Sequence, residues 1–317
     1  MGYFPFAQKI LSPLRFLSPL IFKTFDFSKY DVIITSATGA FFPNSLNKKN
    51  AKLICYCHTP PRYLYGLATA RSLDTWFYKL VNIPLQLTLH FYRLFDFKFA
   101  QNVDQFIANS NTTASRIQKF YRRDAVVINP PIDIPSILEI KKLQSKNLKN
   151  TYFLTGSRLA RAKRYDIAIK ACNKLKLPLK IFGRDLAGYE LELKKIAGPT
   201  VEFVGEVTQI KKNKLFANAI AFIYPSDNED FGMVAVEAQS YGCPVIGYNS
   251  GGVRETVING KTGILFDILN PESCITAIKK FQKLNLKPAD CISNAQKFSK
   301  KVFIEKIQKL INLPPSQ

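Results

Sequence analysis

The chain has 317 residues, 47% of them hydrophobic, which suits about two domains with real cores and excludes a disordered or low-complexity protein. Lys and Arg number 45 against 23 Asp and Glu, a net charge of +22. That balance favours polyanions (nucleic acid, an anionic membrane surface, phosphorylated substrates) without choosing among them. Six cysteines with no CxxC pair and two histidines offer no metal spacing, so reduced, mostly buried thiols in a cytoplasmic setting are expected.

Residues 3–25 are rich in Phe, Leu and Ile, but Pro5, Pro13 and Pro19 and the cations Lys9, Arg15 and Lys23 interrupt them. Neither a signal peptide nor a spanning helix fits. A second aromatic stretch, Trp76 to Phe99, carries Lys79, His90, Arg93, Asp96 and Lys98 and is no span either. Each suits a membrane surface or burial in the first domain. Strands are expected at Asp31–Ser36 and Leu53–Tyr56, the second running into Cys57-His58-Thr59-Pro60-Pro61. The spacing over 72–100 predicts a helix broken at Pro84. Gln105–Ala108 reads as a strand, with Ser110 or Asn111 capping a helix through Tyr121, and Ala125–Ile128 as another strand. Pro130-Pro131 and the Lys-rich stretch 141–150 mark the domain boundary. The expected division is 1–133, 134–296 and a C-terminal helical segment 297–317 that packs back toward the first domain.

The second half alternates strands (152–155, 179–182, 201–204, 221–224, 244–247) with helical patterns (165–175, 189–196, 208–216, 234–241). Short apolar strands alternating with helices indicate an α/β doubly wound parallel sheet. Ligands in such sheets bind beyond the carboxyl ends of the strands, so the loops after Thr155, Phe182, Tyr224 and Gly247 are the ones to read.

After Thr155, the cations Arg158, Arg161, Lys163 and Arg164 fall within seven residues at a strand-to-helix turn. Cations at a helix N-terminus are unfavourable unless an anion is present. A phosphate would explain them, gripped bidentately by Arg158 and by Lys163 as a point charge. An exposed basic turn is the plain alternative. After Tyr224 comes Asp227-Asn228-Glu229-Asp230-Phe231-Gly232-Met233-Val234-Ala235-Val236-Glu237-Ala238. Gly232 lets a ligand approach the backbone, and the amides of Phe231 to Val234 suit a phosphate oxygen. Glu229 can accept hydroxyl hydrogen bonds from a sugar and Glu237 from a ribose diol. The turns Gly183-Arg184-Asp185 and Gly251-Gly252 also follow strands, and each is weak evidence alone. Lysine pairs such as Lys211-Lys212 read as solvated basic surface.

SRLARAKRYDIAIKA (157–171), FVGEV (203–207), YPSDNEDFGMVAVEAQSYGCPVIGYNSGGVRETV (224–257) and NGKTGILF (259–266) resemble the family 4 retaining glycosyltransferases of GT-B fold. In that fold, two Rossmann-like doubly wound domains face a cleft. YCHTPPRYLY (56–65), VDQFIANS (103–110) and VINPPID (127–133) resemble the branch holding many bacterial mannosyltransferases of surface-polysaccharide assembly.

The resemblance implies a metal-independent hexosyltransferase with no cofactor. Its donor is a nucleotide-diphosphate sugar, GDP-mannose favoured, and its acceptor a glycan or lipid-linked glycan. Arg158 and Lys163 would hold the donor diphosphate, and Glu237 the ribose. Glu229 would face the transferred sugar beside the amides of Phe231, Gly232 and Met233, with His58 opposite. Gly183 and Arg184 are counted with the donor loops. The expected setting is the inner membrane face, bound through basic and aromatic surface, with no nucleic-acid partner. The family's first strand and glycine-rich loop are expected to be missing ahead of residue 31, and Tyr65-Gly66 stands where the branch has Trp-Asp. These departures motivate a second reading: a truncated nucleotide-sugar-binding partner of another transferase.

Overall fold

The computed structural model describes residues 17–39, 41–67, 82–148, 150–186 and 188–311. The expected missing glycine-rich loop, most of the N-terminal aromatic stretch and residues 68–81, with Trp76, lie outside them. The chain divides into two compact units, one holding residues 17–67, 82–129 and 310–311, the other residues 130–309.

The first unit is built on a parallel sheet of order β1-β2-β3-β4, with β1 Val32–Ala37, β2 Lys52–Cys57, β3 Gln105–Ala108 and β4 Ala125–Val127. In β2, Leu53, Ile54 and Cys55 are wholly buried, as expected of a parallel strand covered on both faces. β1 alternates, with Ile33 and Thr35 buried and Ile34 exposed, so only one of its faces meets the core. Among the described residues three helices accompany the sheet: α1 (Ser18–Phe22), α2 (Asn82–Gln101) and α3 (Asn111–Tyr121). Pro84 lies within α2, and residues 72–81 of the predicted helix lie outside the described ones. Ser110 caps α3 by accepting from the Thr113 amide at 3.0 Å. All six cysteines are free and buried.

The second unit holds a six-stranded parallel sheet of order β10-β9-β8-β5-β6-β7. Its strands are β5 Phe153–Gly156, β6 Leu179–Phe182, β7 Val201–Gly205, β8 Phe222–Tyr224, β9 Val245–Tyr248 and β10 Gly263–Phe266. The chain enters at the centre, winds out through β6 and β7, then returns to the other side of β5. This is the Rossmann order, and its switch point lies between β5 and β8.

The helices of this half are α4 (Ile137–Leu143), α5 (Tyr165–Leu175), α6 (Tyr189–Ile196), α7 (Gln209–Asn218), α8 (Met233–Ser240), α9 (Val253–Thr256), α10 (Pro271–Gln282), α11 (Pro288–Gln296) and α12 (Lys300–Ile311). Strand periodicity divides the core between two faces. Phe153, Ile181, Ile223 and Ile246 pack with α5 and α10 on one, while Leu154, Phe222, Tyr224 and Val245 pack with α7 and α8 on the other. Each such side chain, fully buried, contributes about 1.5–3 kcal/mol. Part of the Lys-rich stretch read as linker is helical: Lys141 and Lys142 form the last turn of α4, whose start carries a Ser136–Glu139 capping box.

Candidate donor site

The two loops that diverge at the switch point, 157–164 after β5 and 225–232 after β8, meet. The Asp227 amide donates to the Ala162 carbonyl at 3.1 Å. The Lys163 ammonium forms an ion pair with the Glu229 carboxylate and donates to the Tyr224 hydroxyl at 3.0 Å. Ser226 Oγ donates to the same Glu229 oxygen, Oε2, at 2.7 Å. The Lys163 and Glu229 side chains keep only 15% and 18% of their surface exposed. Burial pushes the Glu229 carboxyl upward, but the Lys163 charge and the bonds from Lys163, Ser226 and Tyr224 outweigh it and hold the group below its ordinary value.

The cation-rich loop is less bare than its sequence suggests, because three of its four cations have carboxylate partners. Arg161 pairs with Glu192 of α6. Arg164 forks onto Asp166 through Nε at 3.0 Å and Nη2 at 3.2 Å. Lys163 has Glu229. Arg158 is exposed and has no acidic partner among the described residues. The inference that all four cations imply a missing anion is therefore corrected: Asp166, two residues beyond Arg164, and Glu192 and Glu229, brought in by the fold, answer three of them, and Arg158 alone keeps its guanidinium open.

Gly232 is the N-cap of α8 at φ +88° and supplies no capping side chain. The leading amides of α8 are thus left for another acceptor. Phe231 is buried, Met233 exposed and Val234 half-buried. A glycine turn fixes the backbone ahead of α8. The Gly252 amide donates to the Glu229 carbonyl at 2.8 Å, and a Cβ on Gly251 would stand 2.2 Å from that oxygen. Glu237, in the second turn of α8, keeps 26% of its side chain exposed and pairs with Lys212 of α7 at 2.9 Å. The loop after β6 crosses the first loop. The Leu159 amide donates to the Arg184 carbonyl at 2.8 Å, and a Cβ on Gly183 would overlap the Ser157 carbonyl. The Arg184 side chain is exposed.

His58 belongs to the first unit and follows β2 directly. Its amide donates to the Ala37 carbonyl at 2.8 Å, and its Nε2 lies 3.0 Å from Ser36 Oγ. Asn109 Nδ2 and Thr113 Oγ1 donate to its carbonyl at 2.9 and 3.2 Å. In the same unit, the Tyr65 hydroxyl donates to Asp96 Oδ2 at 2.9 Å and the Tyr65 ring stacks on Phe120 at 4.2 Å. Burial pushes the Asp96 carboxyl up to about 6, against the bonds from Tyr65 and Tyr121.

Sequence reasoning missed Tyr224, Ser226 and Lys212 as partners of the two glutamates. Ser226, three residues before Glu229, was within reach of a local reading, whereas Lys212 lies 25 residues from Glu237 and meets it only through the fold. The bland reading of Lys211-Lys212 holds for exposed Lys211 and is corrected for half-buried Lys212.

Residues 136–298, more than half of the chain, match the family described as Glycosyl transferases group 1, and residues 2–135 match Glycosyltransferase Family 4. The chain is a family 4 glycosyltransferase.

Among its relatives is the alpha-1,3/1,6-mannosyltransferase ALG2 of Kluyveromyces lactis, 29% identical over 279 residues, covering 73% of this chain and 53% of that protein. Human ALG2 is 26% identical over 318 residues, covering 89% of this chain and 73% of that protein. The glycosyltransferase thus spans about half of the first relative and under three quarters of the second. Among solved structures it resembles sucrose-phosphate synthase from Thermosynechococcus elongatus, with TM-score 0.72, 18% identity and coverage of 94% and 78% of the two chains. It also resembles Anabaena HepE in complex with UDP and glucose, with TM-score 0.64, 21% identity and coverage of 99% and 84%. These likenesses identify the fold, that of the GT-B glycosyltransferases with two Rossmann-like units.

Proposed function

We propose that this glycosyltransferase moves a hexose, mannose from GDP-mannose in the first instance, onto a glycan or lipid-linked glycan, with retained anomeric configuration and without a metal ion. The observation that carries the reading is the meeting of Lys163 and Glu229 at the switch point, beside the uncapped head of α8. An ammonium has three N–H donors. Glu229 and Tyr224 take two, so one remains for a phosphate oxygen. Arg158 adds an open fork, and the α8 amides add fixed dipoles. As the bond from the anomeric carbon to the diphosphate breaks, negative charge collects on the leaving oxygen. Donors already in place stabilise that charge without reorganising. Lys163 and Ser226 both bond Glu229 through Oε2, and in this reading Oε1 accepts from a hydroxyl of the transferred sugar. Glu237 takes the ribose. His58 keeps its role beside the sugar through the resemblance alone.

Mannose is favoured by the names of the ALG2 relatives, and the UDP and glucose in HepE make UDP-glucose the natural competitor. Work at the inner membrane face is supported by the +22 charge and by exposed apolar residues on α1 (Leu20, Ile21) and α2 (Leu87, Phe91, Leu94, Phe95), which suit a membrane surface. An apolar cavity of about 460 Å³ lies between these two helices, with Lys23 in its lining. Among the described residues, no helix is long and apolar enough to cross a membrane.

The test is calorimetric titration of GDP-mannose and UDP-glucose into the wild type and Glu237→Ala, with transfer to a lipid-linked glycan followed in parallel. Binding of one donor and its loss in the variant support the reading. Equal affinity in both proteins overturns the site, and binding without transfer favours a non-catalytic partner.

A further inference from the structure

The Lys212–Glu237 pair is a feature of the donor site that nothing in the function just proposed uses. Lys212 stands in the first turn of α7 and reaches across to α8, its ammonium 2.9 Å from Glu237 Oε2. Both side chains are mostly buried, at 19% and 26% exposure. Among the described residues Oε1 receives no hydrogen bond. A glutamate side chain turns about three bonds, and one in a half-buried groove has several rotamers to choose from. An ammonium bonded to one oxygen removes that freedom and leaves the other oxygen without a protein donor among the described residues.

We propose that Lys212 is a positioning residue: by holding Oε2, it aims Glu237 Oε1 at the ribose 2′,3′-diol of the donor and thereby sets the preference for ribonucleotides. The proposal rests on the ribose role given to Glu237. Lys212 does not touch the reacting atoms. Its contribution is the fixed orientation of the one acceptor that distinguishes a ribose from a deoxyribose. The rest of α7 supports the geometry, because Thr208 caps the helix by accepting from the Lys211 amide and Phe216 anchors its far end in the core.

The experiment measures the affinity of the full chain for GDP and UDP and for their 2′-deoxy counterparts, in the wild type, Lys212→Met, Lys212→Arg and Glu237→Gln. The wild type is expected to prefer the ribo form by about tenfold or more, the worth of one hydrogen bond to a charged group. Lys212→Met should bring the ratio within about threefold, and Lys212→Arg, which can still hold Oε2, should restore most of it. A general weakening of the fold would lower both affinities together and leave their ratio intact, so an unchanged ratio in Lys212→Met overturns the proposal. If the wild type shows no preference, or Glu237→Gln keeps it, the ribose role of Glu237 fails, and the proposal with it. Lys212→Gln, carried through the same titrations, decides the matter if the methionine variant does not fold.

Discussion

Replacing Lys163 by methionine keeps the length of the side chain and removes its charge. The ammonium it removes is the cation paired with Glu229, in a site where the two side chains are 15% and 18% exposed. Breaking a buried pair by deleting one partner costs about 3–5 kcal/mol. The surviving bond from Ser226 and the residual exposure bring the expected loss to about 2–3 kcal/mol. Its pH dependence follows from Glu229. In the wild type the folded-state carboxyl is held below 4.5, so its contribution is present above the unfolded value and is lost as pH falls through the folded one. Without Lys163, burial dominates and raises the carboxyl. The folded variant then keeps a proton that the unfolded chain has released, and its stability falls as pH rises. The gap between the proteins should be widest near pH 7 and narrow toward pH 4. Urea unfolding followed by circular dichroism at both pH values measures it, and Lys163→Met/Glu229→Gln should recover at least about half of the loss, because no unpaired charge remains. A gap under about 1 kcal/mol at pH 7, one that is the same at pH 4, or a double variant as costly as both singles together would refute the argument.

Gly251→Ala places a methyl group 2.2 Å from the Glu229 carbonyl at φ +57°, whereas Gly260→Ala meets nothing within 4 Å at φ +78°. Both should bear the left-handed penalty of about 1–2 kcal/mol. Only Gly251→Ala should lose more in thermal midpoint and weaken donor binding. Asp96→Asn should gain stability relative to the wild type between pH 4 and pH 7. Native Asp96 titrates near 6 against an ordinary 3.8, so the folded protein loses up to about 3 kcal/mol as pH rises through that window. A difference in thermal midpoint that does not change with pH would contradict this. Arg158→Met should weaken nucleotide diphosphate binding about tenfold or more, as the loss of a charge-assisted contact. Arg164→Met, whose guanidinium is already forked onto Asp166, should alter it little, and calorimetry compares the two.

Much of the fold was legible because the second sheet is buried on both faces. Short apolar runs such as 179–182 have no other stable use, and β6 runs over those four residues. α5 and α6 likewise run from Tyr165 to Leu175 and from Tyr189 to Ile196, as their spacing predicts. Beyond Gly247 the strand β10 and the helices α9, α10 and α11 went unpredicted. Yet Asn270 and Pro271 open α10 with a cap and a first-turn proline, and Cys274, Ile278 and Phe281 recur at helical spacing. β10 is only Gly263-Ile264-Leu265-Phe266, too short for periodicity to separate strand from helix. At the site, the residue types in the two loops were legible from the helix-head chemistry and the resemblance. Their partners were not. Glu192 lies 31 residues from Arg161, and Glu229 lies 66 residues from Lys163. Only the sheet order, which sends the chain back beside β5, makes the second pair neighbours.

The allocation of charge explains why a count of cations misleads and a count of open donors does not. A loop with four cations and no acid of its own invites the inference of a large missing anion. Asp166, just beyond it, answers Arg164, and the fold answers Arg161 and Lys163 with Glu192 and Glu229. The demand that remains is small and directional: one guanidinium fork on Arg158, one N–H of Lys163 and the leading amides of α8. Such a set suits a compact anion held at a fixed point better than an extended polyanion, which would need a broad field of unpaired cations. The same reasoning separates the two glutamates. Glu229 is held by Lys163, Ser226 and Tyr224 and has little freedom left, as befits a residue beside a reacting sugar. Glu237 is held by Lys212 alone and stays more exposed, as befits one that receives the part of the donor that arrives from solvent.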